Sequence, residues 1–114
     1  MDDPIFAAIA CYEKAAAAFM AQCEYEDWLK AKGINLPCAA DDHRTREMVT
    51  LVNASIAARV ALAKTAPTTL AGLAALTGFL RQQTTADVLS FFEGEENLTF
   101  VATLDTAVRR LAGL

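Results

Sequence analysis

The chain has 114 residues, of which 54% are hydrophobic, and a net charge of −4. This length is enough for one domain with its own core, and this hydrophobicity excludes intrinsic disorder. Its ten basic residues are dispersed along the sequence. Because proteins that bind nucleic acid concentrate such residues on one face, we expect no nucleic-acid partner. With only five glycines and three prolines, and abundant alanine, the composition favours helices.

The first predicted helix spans about residues 4–32. Asp2 or Asp3 suits its N-cap, Pro4 suits its first turn, and Gly33 suits the position just after its end. Apolar residues recur along it at alternating spacings of four and three, which is nearly a heptad pattern. This seam consists of Ile5, Ile9, Tyr12, Ala16, Phe19 and Cys23.

A second helix is predicted over about 42–64, with Asp41 or Asp42 as its cap. Since only a short loop separates it from the first helix, the two are expected to form an antiparallel hairpin. Its apolar stripe consists of Val49, Val52, Ile56, Val60 and Ala63.

The most apolar stretch is 66–80, but it holds only about 11 apolar residues before Arg81, whereas a membrane span needs about 20. It therefore predicts a third helix over 69–83, capped by Thr68 or Thr69, with Gly72 and Gly78 allowing close helix packing. Its predicted stripe is Leu70, Leu73, Leu76 and Leu80. Segment 86–92 has room for a short helix that Gly94 would end. A last helix is predicted over 95–111, with the stripe Leu98, Val101, Leu104, Val108 and Leu111.

These elements predict a single all-α domain over 1–114: a long antiparallel helical hairpin with two or three shorter helices packed on it, like a four-helix bundle. The first helix would be about 43 Å long, whereas a compact chain of this size has a radius of gyration near 13 Å. The short helices would cover about half of the hairpin, so we expect a second copy to cover the rest in a homodimer. The interface residues would be Ile9, Tyr12, Phe19, Val52 and Ile56.

The segments 3–9, 67–73 and 102–111 together resemble a group of small all-helical alpha-proteobacterial proteins of unknown function. The resemblance implies a bacterial, cytoplasmic helical protein. It implies no activity, cofactor or catalytic residue.

Polar residues are expected to meet at the open end of the hairpin. Glu26 and Asp27 would lie near His43 and Arg46 there, either as a ligand-binding pocket or as an ion-pair network that fixes helix register. Cys38 and His43 lack the second pair of ligands that a structural zinc site uses, so no metal is predicted.

Catalytic motifs are not recognisable in the sequence. A single histidine excludes a di-iron carboxylate site, and neither serine lies in a nucleophile turn. Three cysteines follow no disulfide framework, and the acidic N-terminus does not resemble a secretory signal. We therefore expect a cytoplasmic, non-enzymatic protein without cofactor or membrane contact, which self-associates or binds a protein partner as a scaffold. The alternatives are a small-molecule or metal binder at the hairpin end near His43, and an acidic, antitoxin-like partner of a basic protein.

Overall fold

The protein is an all-α, bundle-like fold, as the sequence predicts. A computed structural model describes residues 2–33, 38–84 and 91–114, with the backbone alone for 38–45, and contains no strand within these ranges. Its helices are α1 (Pro4–Ala31), α2 (Cys38–Lys64), α3 (Leu70–Gln83) and α4 (Glu95–Leu111).

The predicted ends of α1 and the predicted start of α3 are confirmed. Asp3 is the N-cap of α1, with its carboxylate 3.1 Å from the Ile5 N–H that donates to it, and Pro4 follows as the first helical residue. Gly33 follows α1 with φ 69°, a left-handed conformation that glycine adopts without strain. Thr69 caps α3 by accepting from the Gly72 N–H at 2.9 Å.

Two predicted boundaries are wrong. The second helix begins at Cys38, so Asp41 and Asp42 lie inside its first turns rather than at its cap. The alanines at 39 and 40 extend the helix at little cost, and acidic residues are favourable near a helix N-terminus. Gly94, expected to end a short helix, is instead the N-cap of α4 with φ 53°. That short helix over 86–92 lies mostly outside the described residues.

The hairpin is antiparallel, because the end of α2 meets the start of α1. The backbone N–H groups of Thr68 and Thr69 both donate to Asp3 Oδ2 at 2.9 Å. α1 packs along α2, α3 packs on α1, and α4 packs on α2. The molecule measures 60 × 28 × 26 Å with a radius of gyration of 17.7 Å, well above the value near 13 Å for a compact chain of this length.

The hydrophobic core lies at one end of the hairpin, which we call the base (residues 4–13 and 58–64). Tyr12 makes edge-to-face contacts with Phe79 at 5.8 Å and Phe91 at 4.9 Å, an arrangement that aromatic rings prefer. The rest of the hairpin, residues 14–31 and 38–57, is called the arm; among its described side chains only Leu29 is buried. The core cluster of the base is Ile5, Leu62, Ala63, Leu76, Phe79 and Phe92.

Several predicted stripe positions are wrong, because α3 and α4 are rotated about their axes relative to the prediction. Leu70 is 71% exposed and Leu98 is 74% exposed. Gly72, Leu76 and Phe79 form the buried face of α3 instead. The other predicted stripe residues found exposed are Val49, Ile56, Val101 and Val108.

Candidate functional site

One flank of α2 is covered at the base and open in the arm. Val52, Ile56, Val60 and Ala63 follow one another at spacings of four, four and three, so they share this flank. Val60 and Ala63 line a cleft beneath the first turns of α4. Val52 and Ile56 line a separate cleft of about 260 Å³ beyond the start of α4. The same flank therefore changes from packed to open partway along the helix.

The adjoining flank of α1 shows the same change. Phe6 and Glu13 line a cleft against α3, together with Ala74 and Gly78. Met20 follows at the same spacing of seven, which places it on the flank that α3 covers at the base. There it is 55% exposed. We call this uncovered continuation the open face; it consists of Phe19, Met20, Val49, Val52 and Ile56.

The residues predicted as an interface divide between the core and the open face. Ile9 and Tyr12 are half-buried and pack against the core cluster of the base. Phe19 and Val52 are half-buried and line the open cleft, whereas Ile56 is 40% exposed at its edge.

Met20 was missed as an interface residue because it lies one position away from the apolar seam. The signal that identifies it is its spacing of seven from Phe6 and Glu13. That signal becomes informative only when the structure shows which flank of α1 contacts α3.

The polar residues predicted to meet at the end of the arm are only partly described. Glu26 is half-buried, while Asp27 and Arg46 are exposed; the side chain of His43 lies outside the described part of the structure. Within that part, no group of three metal-ligating side chains is present. The polar site thus stays a prediction.

Two aromatic side chains stack on the outer end of α1. The rings of Tyr25 and Trp28 are 6.3 Å apart and nearly parallel, with an interplanar angle of 18°. Each is 52% exposed. Helical spacing places Trp28 about 80° from Met20 and on the side away from α2, so the pair is not part of the open face.

An ion pair marks the boundary between the covered flank and the open face. Arg59 Nε donates to Glu96 Oε1 at 2.6 Å and its Nη2 donates to Glu96 Oε2 at 3.1 Å. Glu93 adds a contact of 3.4 Å. The hydrogen bond from Glu96 raises the pKa of Arg59, and in turn the hydrogen bond from Arg59 lowers the pKa of Glu96. This bidentate geometry holds the start of α4 on α2.

A buried carboxylate fixes the other end of the bundle. Asp3 is 4% exposed, and its Oδ2 accepts from Thr68 N, Thr69 N and Thr69 Oγ1 at 2.8–2.9 Å. Burial alone would raise the pKa of Asp3. The hydrogen bonds from Ile5, Thr69 and Thr68 outweigh burial, so its pKa lies below the usual value. This carboxylate joins the N-termini of α1 and α3, which are favourable places for a negative charge.

The length and composition of α1 satisfy the criterion for a membrane-spanning helix. The most apolar 18-residue window has a mean hydropathy of 1.3, and 6% of it is buried within the chain. Nine of the 28 residues of α1 are alanine, which adds to hydropathy while presenting little apolar surface. A core helix of a water-soluble protein and a signal sequence satisfy the same criterion.

Comparison of the chain with protein-family models, with curated proteins and with solved structures finds no match in any of the three.

Proposed function

We propose that this chain is a small non-enzymatic helical protein that self-associates through the open face of its hairpin. It acts as an interaction or scaffold protein in the bacterial cytoplasm. The observation that carries the proposal is the continuity of one apolar flank, which α3 and α4 cover at the base and leave open in the arm. The open face provides apolar area for binding another helix rather than acid–base chemistry.

The size of the arm supports a stable contact between two copies. Its 18 residues of α1 correspond to about 27 Å of helix, and two adjacent helices are about 20 Å wide. Such a surface offers several hundred Å² of contact, approaching the roughly 800 Å² per partner of a standard interface. A second hairpin has the same two-helix width as the α3–α4 layer, so it would continue that layer along the arm.

The proposal is tested by placing a charge on the open face. Ile56→Glu would bury a carboxylate in the dimer interface but leave it solvated in the monomer, because Ile56 is 40% exposed there. We expect the wild type to be dimeric and this variant monomeric by size-exclusion chromatography with light scattering.

The matched control is Leu98→Glu, which puts the same charge on the exposed side of α4, away from the open face. It should stay dimeric. A monomeric wild type, or an Ile56→Glu variant with the wild-type mass, would contradict the proposal.

A further inference from the structure

We infer that the partner on the open face is a second copy in antiparallel orientation, with Glu13 of each copy paired to Lys30 of the other. The inference rests on the proposed function and adds the orientation, the register and the charges that select it.

Steric exclusion favours the antiparallel orientation. α3 and α4 cover the same side of the hairpin on which the open face lies. If two copies packed face to face in parallel, both α3–α4 layers would stand between the hairpins at one end and hold the arms apart. In the antiparallel orientation these layers lie at opposite ends, so each arm can contact the other directly. The two-fold axis then runs across the arms, and α1 lies over α1 of the second copy.

Charges at the two ends of the arm favour the same orientation. Glu13 lies on the open-face flank seven residues before Met20, and Lys30 lies seven residues after Cys23 of the apolar seam. Both side chains are exposed, and neither forms an ion pair within the described residues. They are about 25 Å apart along α1. An antiparallel partner places Lys30 beside Glu13 at both ends of the contact, whereas a parallel partner places like charges together.

The register that follows puts the most exposed apolar side chains at the centre of the contact. The midpoint between Glu13 and Lys30 falls next to Met20 on α1. Because Phe19 and Val52 share a cleft and antiparallel helices advance equally, this midpoint lies opposite Val49 on α2. Met20 and Val49 are 55% and 52% exposed. Central, fully desolvated anchors are where binding energy concentrates in protein interfaces.

Charge reversal with rescue tests the register. We expect Glu13→Lys and Lys30→Glu each to weaken dimerisation about tenfold in low salt, since each change replaces two attractive pairs by two repulsive ones. The double variant should restore affinity to within about threefold of wild type, because it exchanges the charges of the same pairs. Dissociation constants from sedimentation equilibrium provide the measurement.

Lys14→Glu is the matched control, because Lys14 is exposed and adjacent to Glu13 but points about 100° away around the helix. It should leave the dissociation constant within about twofold of wild type. Small-angle scattering supplies a second readout: an antiparallel dimer has a maximum dimension of about 90 Å, compared with 60 Å along the monomer.

The outcomes separate this inference from the proposed function. If the double variant is as weak as the sum of its single changes while Ile56→Glu is still monomeric, the antiparallel register is wrong and self-association through the open face stands. If Ile56→Glu stays dimeric, the proposed interface fails and the register fails with it. Rescue by the double variant together with a 90 Å particle supports both.

Discussion

At the scale of single residues, Asp3 joins parts of the chain that are 65 positions apart. Its carboxylate accepts from Ile5 N at the start of α1 and from Thr68 N, Thr69 N and Thr69 Oγ1 before α3. A buried carboxylate with this many donors stabilises the fold because each donor would otherwise be left without a partner.

Replacing this carboxylate by an amide should destabilise the protein. Asp3→Asn keeps a residue that can cap a helix but turns an NH₂ group toward backbone donors, which we expect to cost about 3 kcal/mol in the free energy of unfolding. Asp2→Asn, a neighbouring exposed position, should change it by less than about 0.5 kcal/mol. Urea unfolding at pH 7 measures both, and equal effects of the two substitutions would contradict this role.

The same carboxylate makes stability depend on pH. Since the pKa of Asp3 is lowered in the folded state, its stabilisation is present above the usual value of 3.8 and is lost as the pH falls through the lowered pKa. The difference in unfolding free energy between wild type and Asp3→Asn should therefore shrink toward zero in strong acid. A difference that does not change with pH would show that the charge is not responsible.

Sequence reasoning recognises only the local half of this arrangement. A helix cap is visible because an aspartate directly precedes Pro4 and an apolar seam. The bonds to Thr68 and Thr69 are not visible, because they depend on how the end of α2 meets the start of α1.

At the scale of elements, the packing of α3 on α1 depends on one glycine. A Cβ at Gly72 would collide with the Asp3 carboxylate and meet Ile5 Cγ2 at 2.9 Å, whereas a Cβ at Gly78 has nothing within 4 Å. The sequence suggests close approach at both glycines, but the rotation of α3 brings only Gly72 to the contact.

Alanine substitutions at these two glycines should have opposite effects. Gly72→Ala should destabilise the protein by about 1–3 kcal/mol, since Asp3 and Ile5 must move. Gly78→Ala should stabilise it by about 0.5–1 kcal/mol, since alanine is the better helix former and the site is open. Thermal unfolding of the two variants measures this, and stabilisation by both would show that α3 can shift without cost.

The buried faces of helices follow from sequence only where packing alone decides them. The heptad seam of α1 identifies its half-buried side, because one long partner helix runs along it. The rotation of α4 is fixed by the bidentate pair between Arg59 and Glu96, which joins positions 37 residues apart. A hydrophobic pattern does not contain that contact, and so Leu98 was assigned to the wrong side.

At the scale of the whole molecule, two helices of nearly equal length are covered along only half of one side. The sequence predicts this imbalance from helix lengths alone, and the extents of 60 × 28 × 26 Å are consistent with it. The location of the open face follows only from the structure, because it depends on which flanks α3 and α4 occupy. The proposed dimer would cover this face without any change in fold.

Native mass spectrometry of the untagged wild-type protein tests self-association most directly, because it reports subunit number and any retained ligand together. The account predicts a species of twice the 12.2 kDa chain, with no added mass. A monomer at every concentration up to about 100 μM, well above the dissociation constant of an interface of standard size, would contradict it.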